Sequence, residues 1–123
     1  MWPFKPSPRK QRSNEIQTLL KRAVRARGYK VVHVAGIGYQ YDSAFWIFVK
    51  TDAERDKLRN DKEMAEQLSS LFEKTGYTAY IRQLWAEEIN DPKQEDLKQP
   101  HIVFESRETV KRDNGGNYCH AMK

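Results

Sequence analysis

The chain has 123 residues, one cysteine, 32% charged side chains and a formal net charge of +5. That length supports one hydrophobic core rather than two, and a single cysteine excludes an internal disulfide framework. A mean hydropathy of −0.90, with no apolar run near the roughly 18–20 residues that a membrane span needs, argues for a solvated surface and against a spanning segment.

The charge is unevenly placed. Residues 1–30 carry nine cations against one acid, Glu15, while the remainder carries thirteen cations against sixteen acids. The basic balance therefore belongs to the front of the chain and suggests an anionic partner there, with a solvated tail and helix face as the plainer alternative.

Residues 1–12 (MWPFKPSPRKQR) hold three prolines and four cations around Trp2 and Phe4. They have no apolar h-region or small-residue cleavage site, so they do not read as a secretory signal. The prolines deny the stretch helical hydrogen bonds, which predicts a flexible basic arm. Ser13 or Asn14 then caps a first helix. Ile16, Leu19, Leu20, Ala23 and Val24 form one apolar face, and Gly28 closes the helix. Lys21, Arg22 and Arg25 fall on its outer surface.

Tyr29–Ala35 is rich in β-branched residues and reads as a strand. Residues 36–43 form a loop, and Ala44–Lys50 (AFWIFVK) is a second strand, apolar on both alternating sets. The two read as a hairpin.

Thr51–Tyr77 reads as the main helix. Thr51 and Glu54 have the spacing of a capping box, and Lys74-Thr75-Gly76 closes the far end. Ala65, Leu68, Leu71, Phe72 and Thr75 make its inward stripe. Asn60-Asp61 can divide it into a short charged piece and a longer amphipathic one, because both residues favour caps over interiors.

Thr78–Ala86 is expected as a third strand and residues 87–100 as a polar exposed connection. His101–Ser106 is the fourth strand. Residues 106–116 fit either a short helix capped by Ser106 or a hairpin turning at Asn114-Gly115; Glu108 early and Lys111/Arg112 late favour the helix. Residues 116–122 then end the chain as a short extended edge piece.

The predicted fold is α+β: a two-layer sandwich with a mainly antiparallel sheet of four or five strands and two main helices on one face. The element order is α-β-β-α-β-β, then a short helix or hairpin. Residues 1–12 form the arm and residues 13–123 a single domain.

The chemistry-bearing residues do not converge. His33, His101, Cys119 and His120 lack metal-ligand spacing, and Cys119 and His120 are neighbours that point apart in a strand. Cys119 has no elbow motif around it and reads as an ordinary small residue. Gly36-Ile37-Gly38 lacks the third glycine, the Gly-Lys-Ser/Thr ending and the helix of a phosphate loop. Glu87/Glu88 and Glu105/Glu108 read as surface acids. No catalytic set, metal or cofactor is therefore expected, and no small-molecule substrate is inferred.

Aromatics stand out instead. With both helices on one side of the sheet, Trp46, Phe48, Tyr80 and Trp85 would lie on an open face, and exposed apolar patches mark interfaces. The expected function is a small non-enzymatic protein-binding module of inhibitor, antitoxin or immunity type, or a dimerising accessory protein. The alternative is a nucleic-acid binder using the arm and first helix, although the aromatic signature of an RNA-recognition sheet is absent. Candidate contact residues are Arg9, Lys10, Arg12, Lys21, Arg22, Arg25, Trp46 and Trp85. A reducing, cytoplasmic setting fits the single cysteine.

Overall fold

The computed structural model describes residues 8–37, 44–88 and 100–122, with side chains over 10–37, 44–83 and 100–122. Helix α1 (Pro8–Ala26) starts upstream of the expected cap. Proline suits the first helical position, where its missing N–H has no helical acceptor to lose. Arg9, Lys10 and Arg12 are thus helical residues rather than parts of an arm. Ser13 sits inside the helix, 2% exposed. The inward stripe is Ile16, Leu20 and Val24, all buried, and Gly28 turns the chain at φ 99°.

Strands β1 (Val31–Ile37) and β2 (Ala44–Val49) pair antiparallel. Val31/Val49, Val34/Ile47 and Gly36/Phe45 share one side of the sheet. His33/Phe48, Ala35/Trp46 and Ile37/Ala44 share the other. The register shifts between Val31 and His33, leaving Val32 outside the ladder. Residues 38–43 of the expected connecting loop lie outside the described residues.

Three helices follow: α2 (Asp52–Arg59), α3 (Lys62–Lys74) and α4 (Tyr77–Glu88). Thr51 Oγ1 accepts from Glu54 N at 3.2 Å, as the capping spacing predicts. The division falls at Asn60-Asp61, where Asp61 Oδ1 accepts from Met64 N at 3.1 Å and caps α3.

The expected third strand is instead helix α4. Gly76, at φ 73°, turns α3 directly into it. Tyr77 and Ile81, one turn apart, are 3% and 2% exposed and join the core beside Phe72. A helical period accounts for that pair, and Ala79, Arg82, Gln83 and Leu84 are good helix formers.

Strand β3 (His101–Ser106) pairs with β2 in parallel, giving a three-stranded mixed sheet in the order β1-β2-β3. This overturns the expectation of a mainly antiparallel sheet of four or five strands. A parallel partner must return the chain to the end where β2 began, and the α2–α4 segment supplies that crossover. Helices α5 (Arg107–Asn114) and α6 (Tyr118–Ala121) complete the chain. The helical alternative for 106–116 holds, with Ser106 as cap and Gly115 left-handed at φ 58°. The expected final extended piece is the helix α6.

Both sides of the sheet carry helical cover, which corrects the two-layer picture. On one side Phe45, Ile47 and Val49 are fully buried in a cluster with residues of α1, α3 and α4. On the other, Tyr118 of α6 meets Phe48 edge-on at 4.7 Å and His33 at 4.6 Å between ring centroids. Phe48 is 0% exposed as a result. Among the described residues, no helix is long and apolar enough to cross a membrane.

Candidate functional site

Two groups of cations stand out. In the first, the guanidinium is held by carboxylates of its own chain. Arg27 binds Asp61 through Nε at 2.6 Å and through an Nη at 2.9 Å, and it reaches Glu63 at 3.1 Å. Arg55 binds Glu105 at 2.7 Å. Arg112 binds Asp52 at 3.0 Å. Arg59 donates twice to Phe104 O on β3, at 3.2 and 2.7 Å, and lies 3.5 Å from Glu105.

The second group lines the outer face of α1. Lys21, Arg22 and Arg25 sit with Thr18 and Ala26 around an open surface depression of about 620 Å³. None of the three has a carboxylate partner among the described residues. Arg25 donates to Val31 O at 3.0 Å, which ties α1 to the start of β1. The lone acid of α1 is Glu15, seven residues before Arg22. This helix face therefore carries three neighbouring cations without a paired acid among the described residues.

A second depression joins the first through shared Thr18 and Lys21. It holds about 300 Å³ between α1 and the free edge of β1, lined by Asn14, Gln17, Thr18, Lys21, Val32, His33 and Val34. Its α1 wall is polar. Gln17 Nε2 donates to Ser13 Oγ at 2.9 Å, and Thr18 Oγ1 donates to Asn14 O at 2.9 Å. On the β1 wall, Val32 is the residue that the register shift leaves out of the ladder. Burial, and then the nearby Lys21 charge, hold the His33 imidazole below its ordinary pKa of 6.5.

The other sequence candidates lie elsewhere. The Arg12 guanidinium stacks over the Tyr80 ring at 4.6 Å, bridging α1 to α4 and away from the Lys21 face. Lys10 is exposed and has an interaction partner of its own. Arg9 falls in the first turn of α1 and Trp85 in α4, both with side chains outside the described set. The open aromatic face is mostly lost: Phe48 is covered, and Tyr80 and Trp85 belong to a helix. Trp46 remains half-buried on the α6 side of the sheet, stacked on Phe48 at 5.9 Å.

The sequence reading missed a polar cluster where β2 and β3 end side by side and feed α2 and α5. Asp52 accepts hydrogen bonds from Ser106 Oγ, from Thr109 Oγ1 at 2.8 Å and from Arg112 at 3.0 Å. These bonds, with the Ser106 hydroxyl foremost, hold its carboxyl well below the usual carboxylate range. The carboxyl ends of parallel strands commonly make a ligand crevice. Here the protein's own carboxylate occupies it. Ser106 is 0% exposed and its hydroxyl hydrogen is committed to Asp52, so an external electrophile has no approach to that oxygen. The spacing Ser106/Thr109 was visible as a cap, but its partner 54 residues earlier was not.

Among the described residues no group of three His, Cys, Asp or Glu could hold a metal ion. His33 pairs with Phe48 and His101 with Ala44, so the two histidines occupy opposite ends of the sheet. Cys119 is exposed on α6. No protein-family model, no curated protein and no solved structure matches this chain.

Proposed function

We propose that this protein is a non-enzymatic binding module and that its α1 face binds nucleic acid. The reading rests on one contrast. Arg27, Arg55 and Arg112 are neutralised by carboxylates within the fold, whereas Lys21, Arg22 and Arg25 face solvent together without one. A cationic row beside a polar recess suits a phosphate backbone. A membrane-surface helix would need an outward apolar face, whereas the exposed positions here include Asn14, Glu15, Thr18, Arg22 and Arg25.

Fluorescence anisotropy on labelled oligonucleotides tests this. Binding should weaken with salt, with a log–log slope of about −2 for three cations on a single strand. Replacing Lys21, Arg22 and Arg25 by glutamine should abolish binding and flatten that slope. No binding by the intact chain at low salt, or undiminished binding by the triple variant, would overturn the reading.

Trp46 favours a second reading, a protein-binding surface on the α6 side of the sheet with a second copy of this chain as its occupant. The row Ala35/Trp46/Val103 is uncharged and half-buried, and tryptophan is enriched where interfaces concentrate their energy. Light scattering over a concentration series should then show a dimer that Trp46→Lys dissociates. A monomer throughout would dispose of it.

A further inference from the structure

We propose that the recess between α1 and β1 seats an unpaired base of a single-stranded nucleic acid, whose flanking phosphates lie along Lys21, Arg22 and Arg25. This rests on the nucleic-acid reading and narrows its ligand class.

The first argument is placement. Positions 14, 17, 18, 21 and 25 recur at three and four residues, so one helix face carries both the amides and the cations. From Asn14 to Arg25 that face runs about 16 Å at 1.5 Å per residue, enough for several backbone phosphates. Lys21 lines both depressions, so a strand held by the cations passes the mouth of the recess.

The second argument is the recess chemistry. Asn14 and Gln17 each bring an amide with donors and an acceptor, the side-chain type that reads base edges. Gln17 Nε2 already serves Ser13, which orients its amide. Opposite stands Val32, whose backbone lies outside the β1–β2 ladder, on an edge strand that presents N–H and C=O groups outward. His33 also lines the recess, while its ring packs on Tyr118 at 4.6 Å and Phe48 at 5.7 Å on the α6 side of the sheet.

The third argument separates a single strand from a duplex. A helix read in a major groove about 12 Å wide must project from its domain, since the helix with its side chains is itself about 10–12 Å across. Helix α1 instead packs against both α3 and β1. The recess along its β1 border is a concavity, and a base enters a concavity only once it is out of its duplex.

The test uses the full chain and three probes of about 12 nucleotides: a uridine RNA strand, a duplex, and a strand of the same length with abasic sugars. The RNA strand should bind at least about tenfold tighter than either of the others, a difference of about 1.4 kcal/mol. Asn14→Ala with Gln17→Ala should remove that margin and leave the weaker, salt-sensitive binding to the duplex unchanged. Alanine is the best helix former, so unchanged circular dichroism is expected of the variant. Equal affinity for all three probes, or a margin that survives the double substitution, would overturn the base-seating inference while leaving the nucleic-acid reading in place. Failure of the intact chain to bind any probe at low salt would overturn both.

Discussion

Asp52 and Glu108 each bind the start of the other's helix. Glu108 Oε1 accepts from Asp52 N at 3.0 Å, satisfying an orphan donor in the first turn of α2. Asp52 Oδ1 in turn accepts from the Ser106 and Thr109 hydroxyls at the start of α5. Two helix N-termini lie side by side because β2 and β3 are parallel and end together. Each supplies a carboxylate to the positive end of the other, the sign that a helix dipole favours.

That exchange predicts coupled effects. Ser106→Ala removes both the N-cap of α5 and a ligand of Asp52, and should cost about 1–2 kcal/mol of unfolding free energy. Asp52→Ala should also destabilise the fold. The two should fall short of additive in a double-mutant cycle by urea denaturation, because they break the same hydrogen bond. Additive losses would show that Asp52 and Ser106 act independently.

Acid should destabilise the protein in two stages. The His33 pKa lies below 6.5 in the folded chain, so the unfolded chain takes up the proton first. The associated stability is present above about pH 6.5 and is lost as pH falls through the lowered folded value. Asp52 and Asp61 lie well below their ordinary 3.8. For Asp61 the leading cause is the Arg27 hydrogen bond. Their contribution is present above about pH 4 and is lost on further acidification. Denaturation midpoints measured across pH 3–7 should therefore show a decline below about pH 6.5 that His33→Gln removes, and a second at more acid pH that Asp52→Asn and Asp61→Asn reduce. A flat profile between pH 5 and 7 in the parent chain would contradict the first stage.

Phe48 should behave as a core residue despite pointing away from the main cluster. Truncating a fully buried phenylalanine costs about 3–5 kcal/mol, so Phe48→Ala should lower the urea midpoint about as much as Phe45→Ala. Tyr118→Ala should lower it less and should expose Phe48, read as new binding of a hydrophobic dye. If Phe48→Ala were no worse than a surface substitution, the α5–α6 cover would be absent in solution.

Much of this architecture could be read along the chain. The stripe Ile16/Leu20/Val24, the Thr51 cap on Glu54 N, the division at Asn60-Asp61, the strands around Ile47 and Phe104, and the cap at Ser106 each depend on contacts within a few residues, whereas the Glu54 carboxylate turns from that capping box to Lys30 N. Hydrophobic spacing and cap chemistry act at that range, so sequence alone is enough to specify them. The concentration of positive charge toward the front was equally plain from residue order.

Tertiary structure decided what those pieces meet. Residues 77–88 carry a short, mixed pattern that suits strand or helix, and the burial of Tyr77 and Ile81 against Phe45 and Phe72 selects helix. That choice removes a strand and makes β3 a parallel neighbour of β2. The return of Tyr118 onto Phe48 closes the second side of the sheet. Which cations remain uncompensated was also hidden: Arg27 and Arg25 look alike in sequence, yet one meets Asp61, 34 residues away, and the other does not. Ion pairs and sheet order join residues dozens of positions apart, and no local pattern carries the distance between them.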